Sequence, residues 1–355
     1  GMEGDWESLK QAEEILLFNE FHDILPGTSV QRAEDAALRE MGGAISLLEK
    51  EKTRAFMHLC RQTEKLEPGV IPIFACNPHP WPVKAVLECE FQLQDQGWDY
   101  TYTDFEVRYQ GEVIPSQLEK EGSSIPLDWR KRLVFMADIP PFATAALYAY
   151  PKVLTGKPEL PQTIESEIRL EGSGGELIID KKSGLISSYR IDGISLFCPG
   201  AARLVVIADN EDPWGMTVNS FPEIIGEFTP ASPEQAGKIC GLDKAIDPVH
   251  IIEHGPVRTV VEAIFLYKRS AAIVHYKFQP ITNKLDLEIH LQWNEPNHMV
   301  KLSLPTPWKD AECWGQKMLG RARLYENGTE NVSQKWISVC NDKLGLTILN
   351  QGSYG

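Results

Sequence analysis

The sequence NEFHDILPGTS, Asn19 to Ser29, separates two segments whose apolar residues recur with helical spacing. Pro26 disfavours the α conformation for the residue before it, and Gly27 permits a chain reversal that a residue with a Cβ resists. The first helix is therefore expected to end near Phe21–Ile24. Together the two segments predict a helical hairpin with this sequence as its turn.

The start of the second helix carries a recognisable signal. Thr28 and Gln31 have the spacing of a capping box, in which each side chain satisfies a backbone N–H near the helix start. Trp6, Leu9, Leu16 and Leu17 give the first helix an apolar stripe. The apolar residues of the second helix follow the same period: Val30, Ala33, Ala37, Met41, Ala44 and Leu48.

His22 and Asp23 stand side by side within the turn. An imidazole and a carboxylate fixed next to each other suit metal ligation and hydrogen bonding to substrate hydroxyls. In the other interpretation, Asp23 caps a local turn and His22 packs against Phe21. Spacing alone leaves both interpretations open.

The period of the apolar residues changes from helical to alternating near Pro68. We predict an α+β multidomain protein, with a short helical bundle followed by two antiparallel β-sandwich domains. The predicted divisions are a helical domain at 1–66, a small sandwich at 67–150, a proline-containing linker at 151–163 and a large sandwich at 164–355. The clearest predicted strands are 70–75, 83–93, 105–109, 133–136, 145–150, 176–180, 185–190, 257–267, 271–279 and 285–293.

Polar residues recur at alternate positions of the predicted long strands, where side chains share a face: Glu262, Asp286, Glu288 and His290. The last three could form a metal site, although the solvent face of an antiparallel sheet has the same pattern. His275 and His298 are isolated in the sequence and are interpreted as structural. The loop Asp209–Gly215 places acidic groups beside Trp214, which suits sugar recognition or, alternatively, a solvated turn.

The overall composition excludes some partners. A net charge of −15 and a pI near 5.1 argue against nucleic acid and anionic membranes, since phosphate binding needs clustered Lys and Arg. No apolar run approaches the roughly 20 residues of a membrane span, and no signal peptide is visible, so a cytoplasmic location is expected. The seven scattered cysteines include no Cys-x-x-Cys, so reduced thiols are expected rather than disulfides or a thiolate metal site.

The turn sequence, followed by a long Ala- and Glu-rich helix, resembles the middle-domain signature of glycoside hydrolase family 38, the class II α-mannosidases. The resemblance implies that His22 is a zinc ligand and that Asp23 contacts hydroxyls of bound mannose. It also implies that the larger sandwich is a galactose-mutarotase-like supersandwich. Weaker matches follow in the family's order: Phe74–Pro78, His254–Arg258, Lys284–Asp286, Gln292–Glu295, Lys301, Pro305, Lys335–Trp336, Gly345–Leu346 and Leu349–Asn350.

The family's catalytic barrel has no counterpart in this sequence. The barrel carries a His-x-Asp pair and an Asp nucleophile, and no His-x-Asp occurs here. The resemblance therefore implies a fragment of a retaining, metal-dependent α-mannosidase, with no catalytic residue in this chain and one zinc ligand. Gly1 before Met2 is expected to be a tag remnant, and the family's sequence is expected to continue beyond Gly355. The resemblance implies two partners, a mannose-containing glycan and the missing N-terminal barrel of the same protein. Self-association into an oligomer is a further possibility.

Two other classes of function remain. The large sandwich could be a non-catalytic carbohydrate-binding module, which exposed coplanar aromatic side chains on a concave face would favour. The whole chain could instead be a scaffold or interaction domain, with His22 buried against a backbone partner.

Overall fold

The structure is a computed structural model that describes residues 6–25, 27–60, 66–98, 101–123, 127–162, 165–209 and 218–351. The chain divides into two compact units, Gly1–Gly156 and Lys157–Gly355. The described residues form three helices and twenty-three strands, all of whose pairings are antiparallel. The α+β class and the β-sandwich-like sheets agree with the prediction.

Two helices open the first unit, α1 (Trp6–Asn19) and α2 (Gln31–Leu59). They pack on each other mainly through small side chains, since Ala12, Ala37 and Ala44 are buried. Asn19 is also buried, and its Nδ2 donates to the Ile15 carbonyl at 2.9 Å and to Glu40 Oε2 at 3.1 Å. Asn19 thus ties the end of α1 to α2. The helix ends at Asn19, earlier than predicted.

The predicted capping box of α2 is wrong. The N-cap is Val30, which is extended and has no side-chain hydrogen bond to the helix. The Gln31 side chain instead donates to Asp35 at 2.9 Å. Gly27 has a φ of 74°, and the chain runs through three more non-helical residues before α2 begins, so Thr28 lies too early to cap it.

Two consecutive glycines, Gly42 and Gly43, lie near the middle of α2. No atom lies within 4 Å of the position that a Cβ would take at either residue. Packing among the described residues therefore does not require a glycine at these positions.

The rest of the first unit is a sandwich of two sheets, ordered β1-β7-β3-β4 and β2-β6-β5. Its core is aliphatic and aromatic, with Leu133, Phe135, Val107 and Leu147 almost completely buried. Alternate residues of the paired strands face this core, as the sequence predicted. The strands are β1 (Ile71–Cys76), β2 (Val83–Gly97), β3 (Tyr102–Tyr109), β4 (Glu112–Ile114), β5 (Ser116–Glu119), β6 (Asp128–Ile139) and β7 (Thr144–Leu154).

Asn77 closes the end of β1 in this sandwich. Its side chain is buried, and Nδ2 lies within hydrogen-bond distance of the carbonyls of Trp81 at 2.9 Å and of Ile139 and Pro140 at 3.0 Å. Burying an amide without partners is costly, so these bonds hold the loop after β1 against the end of β6. The Asn-Pro sequence thus has a structural role here.

The second unit contains four sheets, ordered β11-β10-β9-β8, β13-β12-β19, β14-β16-β17-β18 with β15 paired to β16, and β21-β20-β22-β23. The main core lies between the first three of these sheets and includes the buried Tyr276 and Phe278. The strands are β8 (Glu167–Glu171), β9 (Gly175–Asp180), β10 (Ile186–Ile191), β11 (Ile194–Ser195), β12 (Arg203–Ala208), β13 (Ile224–Glu227), β14 (Thr229–Pro230), β15 (Val249–His254), β16 (Thr259–Tyr267), β17 (Ser270–Gln279), β18 (Lys284–Gln292), β19 (His298–Ser303), β20 (Glu312–Lys317), β21 (Gly320–Arg323), β22 (Trp336–Cys340) and β23 (Gly345–Leu349).

The hairpin β9–β10 and the meander β16–β17–β18 confirm two predicted supersecondary elements. A short helix, α3 (Pro233–Ile239), was not predicted. Ala236 of α3 packs with Ala231 and Ile264 on the outer side of the meander.

The predicted division into 1–66, 67–150, 151–163 and 164–355 remains a prediction. β7 continues to Leu154, and the boundary between the compact units lies at Gly156. Among the described residues, no helix is long and apolar enough to cross a membrane.

Candidate functional site

The turn between α1 and α2 is held by backbone hydrogen bonds. The amides of Ile24 and Leu25 both donate to the Phe21 carbonyl, at 2.9 and 3.1 Å, and Gly27 donates to the Ile24 carbonyl at 3.1 Å. Pro26 lies outside the described residues. His22 and Asp23 are therefore carried on a structured turn.

The two side chains face solvent. His22 is 80% exposed and Asp23 is 45% exposed, and His22 Nε2 lies 3.7 Å from Asp23 Oδ1, too far for a hydrogen bond. The ring centroid of His22 lies 4.3 Å from that of Phe21. The two rings are thus in contact, while the polar atoms of both side chains remain accessible to a ligand.

The pair can supply part of a metal site. Zinc in proteins takes three or four protein ligands, most often imidazole, thiolate and carboxylate groups. His22 offers one such nitrogen, and the only described group of three or more candidate ligand side chains lies elsewhere. The donor chemistry of His22 fits zinc, and a complete zinc site there would need ligands beyond the described residues.

Large apolar residues flank the pair in the sequence, on the same turn and at the adjoining helix ends. Each of these residues is more than half exposed: Leu17, Phe18, Phe21, Leu25 and Val30. Exposed apolar side chains that lie close together are typical of an interaction surface. The turn therefore combines polar ligand atoms with an apolar rim.

A second candidate lies on the meander of the second unit. His275, Glu288 and His290 each offer one ligand atom, and these atoms lie within 4.8 Å of one another. The expectation that His275 is isolated is wrong, because the strand register places it directly opposite Glu288. Asp286, which shares the face in sequence, is held by Gln279 at 2.8 Å and by Lys284 at 2.9 Å and does not join the group.

The other predicted sites have simpler outcomes. His298 hydrogen-bonds through Nδ1 to the Pro296 carbonyl. Asn210–Gly215 of the predicted acidic loop lie outside the described residues. An open groove is lined by Trp314 and Trp336, with the Arg321 guanidinium 5.1 Å from the Trp314 ring centroid.

Comparison with known proteins identifies solved structures that have a similar fold. No family model and no curated protein matches the sequence. A protein in the glycosyl hydrolase family 38 from Enterococcus faecalis superposes with a TM-score of 0.71 at 14% identity, over 98% of this chain and 46% of that one. The chain has the fold of part of a family 38 glycosyl hydrolase. An alpha-mannosidase from Enterococcus faecalis V583 superposes with a TM-score of 0.51 at 14% identity, over 98% of this chain and 45% of its own.

The chain thus spans less than half the length of the solved structures it resembles. Because it extends over 98% of this chain, the shared fold includes parts of both compact units.

Proposed function

We propose that this chain is the middle and C-terminal part of a metal-dependent α-mannosidase that acts on terminal α-mannosidic bonds of glycans. The observation that carries the proposal is the coincidence of NEFHDILPGTS with a solvent-facing turn in a family 38 fold. The exposed apolar residues near the pair support the proposal that an N-terminal domain of the same protein covers this surface. The solved structure with the same fold is more than twice as long as the region matched here, which is consistent with such a domain.

In this proposal, the turn contributes one side of an active site. His22 is one zinc ligand, and Asp23 accepts hydrogen bonds from hydroxyls of the mannose ring. Both side chains are exposed to solvent, as they must be if another domain supplies the rest of the site. When bound, zinc would supply positive charge that grips sugar hydroxyls. Hydrolysis with retention needs two carboxyl groups about 5 Å apart, which the proposal assigns to the N-terminal domain.

Substitution of the pair in the complete parent protein tests the proposal. His22→Ala is expected to lower both bound zinc and activity, because it removes a ligand. Asp23→Asn is expected to retain the metal but to lower kcat/KM about ten- to a hundredfold, since a hydrogen bond to an ionised group is worth roughly 1.5–3 kcal/mol. Metal content is measured by elemental analysis and activity with an aryl α-mannoside.

The same substitutions in this chain provide the control. Because both side chains are exposed and add little to the core, Tm is expected to change little. A parent His22→Ala protein with normal zinc and a normal rate would reduce the pair to a structural turn and overturn the proposal.

Carbohydrate binding by the large sandwich alone is a second candidate function, favoured by the groove of Trp314 and Trp336. Indole faces are common contacts for apolar faces of ligands. In this second candidate the large sandwich binds carbohydrate without any other domain. The purified chain should then bind a mannose oligosaccharide without hydrolysing it.

A further inference from the structure

Histidine and glutamate alternate across four neighbouring strands of the second unit. The strand register pairs His250 of β15 with Glu262 of β16, Glu262 with His275 of β17, and His275 with Glu288 of β18. Directly opposed residues of antiparallel strands have neighbouring side chains. We call these four residues and His290, which follows on the same face of β18, the His/Glu ladder.

One end of the ladder is sheltered and the other is open. Residues of α3 and the segment after it cover the outer face beside Ile264 and Ile273, and Cys240 Sγ lies 3.9 Å from Glu262 Oε1. Glu262 is accordingly half-buried, whereas Glu288 and His290 on the last strand are more exposed. Access from solvent is therefore at the β18 end.

The contact between Glu262 and His275 determines which imidazole nitrogen is free. His275 Nε2 lies 3.0 Å from Glu262 Oε2. An ionised carboxylate only accepts hydrogen bonds, so His275 Nε2 donates. The lone pair of a neutral His275 is then on Nδ1.

Two further ligand atoms, from Glu288 and His290, lie near the His275 ring. His275 Nδ1 lies 3.8 Å from Glu288 Oε2, and His290 Nε2 lies 3.0 Å from Glu288 Oε1. A tetrahedral zinc with bonds of about 2.0–2.1 Å holds its ligand atoms roughly 3.3 Å apart. Rotation of the exposed Glu288 and His290 side chains can bring the three atoms to that separation, because neither is fixed in the core.

We propose that His275 Nδ1, a Glu288 carboxylate oxygen and His290 Nε2 bind a divalent transition-metal ion of the zinc type, with water as a further ligand. Two imidazoles and one carboxylate are a ligand set that zinc and cobalt accept. Glu262 acts behind them, because a carboxylate that accepts from the second nitrogen of a ligating imidazole orients the ring and raises its basicity. This site is separate from the turn that carries His22.

Lys277 sets the affinity from the side. Its Nζ contacts Glu288 Oε2. The ammonium occupies one carboxylate oxygen and repels a cation. Glu288 Oε1 remains on the His290 side, where the ion would bind.

Titration of the purified chain with Zn²⁺, and separately with Co²⁺, tests the site. All variants carry His22→Gln, so that the turn cannot contribute a ligand. The background chain is expected to bind one ion, and the Co²⁺ complex to show no thiolate charge-transfer band, which separates the site from the free cysteines. Binding is measured by competition with a chromophoric chelator, after CD confirms that each variant is folded.

Three substitutions give opposed expectations. His290→Gln should weaken binding at least tenfold, and Glu262→Gln should weaken it by about ten- to a hundredfold, the range for such supporting groups. Lys277→Gln should tighten binding, because it frees a carboxylate oxygen and removes a positive charge. His298→Gln is the matched control, because His298 lies on another strand and bonds its own loop.

Absence of one-to-one binding in the background chain would overturn the proposal. Equal affinities for the His290→Gln and His298→Gln chains, or weaker binding after Lys277→Gln, would overturn it as well. In each case the ladder would be a hydrogen-bonded surface of the sheet.

Discussion

At the scale of single residues, Glu295 is a buried carboxylate just beyond the end of β18. Its Oε1 accepts from the Arg269 backbone N–H at 2.9 Å and from the Ser270 hydroxyl at 3.2 Å. The backbone hydrogen bond is the main cause of a lowered pKa; burial opposes it, while Ser270 and the charges of Arg269 and Lys268 add to it. Glu295 thus joins the β16–β17 turn to the loop after β18.

The lowered pKa predicts a pH-dependent contribution to stability. Since the folded pKa lies below the unfolded value of about 4.3, the contribution is present above that value and is lost as pH falls through the folded pKa. Glu295→Gln should therefore lower Tm most near neutral pH, and the difference from the unmodified chain should shrink in acid. Thermal unfolding between about pH 3 and pH 7 measures it.

Glu159→Gln is the control for this prediction, because Glu159 is exposed in an irregular segment of the same unit. Its effect on Tm should be small at every pH. A Glu295→Gln difference that grows as pH falls would contradict the assigned sign.

Residue chemistry could be predicted from the sequence where the residues are neighbours in the chain. His22 and Asp23 are adjacent, so their pairing is visible without a structure. His275 meets Glu288 only through the register of β17 on β18, which depends on the lengths of the turn and both strands. Alternation identified the shared face of Glu288 and His290, but it could not supply the third member.

At the scale of elements, two sequences with capping-box spacing can be compared at helix starts. At Ser232, Oγ accepts from the Gln235 backbone N–H at 3.3 Å, and Gln235 Oε1 accepts from the Ser232 N–H at 2.9 Å, with Pro233 in the first turn. Thr28 and Gln31 have the same spacing but form no such pair. The motif therefore works only where the backbone enters the helix at once.

This contrast predicts unequal effects of truncation. Ser232→Ala should destabilise the second unit by about 1 kcal/mol, the usual cost of losing an N-cap. Thr28→Ala should have a much smaller effect on the first unit, because no cap is lost. Denaturant unfolding of each variant, followed by probes in each unit, gives the two values.

Equal losses in the two variants would show that the Ser232 bonds carry no particular stability. A conservative third variant, Ser232→Thr, should retain most of the cap, since threonine can accept the same hydrogen bond.

The long strands were predictable and the short helix was not, for a physical reason. β16, β17 and β18 each have nine or ten residues, enough for alternation to repeat several times. α3 has seven residues, so its helical period has hardly begun before the helix ends. Its packing on Ala231 and Ile264 supplies stability that local sequence does not display.

At the scale of the whole molecule, the present chain matches less than half of each related solved structure. The described residues form two units with their own apolar cores. Apolar periodicity predicted the change from helices to paired antiparallel strands near Pro68, because each kind of element repeats its apolar residues with its own period. The exposed apolar residues near His22 have no partner in either core cluster of the described residues.

The proposed function makes a prediction for the chain alone. It should not hydrolyse an aryl α-mannoside, because the proposal places the nucleophile, the acid/base and most metal ligands in an N-terminal domain. Release of the aryl group is measured at high protein concentration, with and without added Zn²⁺. The complete parent protein is the positive control.

Turnover by the purified chain that a chelator abolishes would contradict this division of labour. Activity that persists with His22→Ala would further show that the turn is unrelated to it.

The glycine pair in α2 gives the helix a limited cooperative length. Each glycine costs about 1 kcal/mol relative to alanine in a helix interior, and helix propagates only while each added residue is favourable. When helix is lost from the Leu59 end, the boundary between helix and coil is therefore favoured at Gly42 and Gly43. The segment before these glycines, from Gln31, is held to α1 by the hydrogen bond between Asn19 and Glu40. Fraying at the C-terminal end of α2 is therefore expected to leave the turn that carries His22 in place.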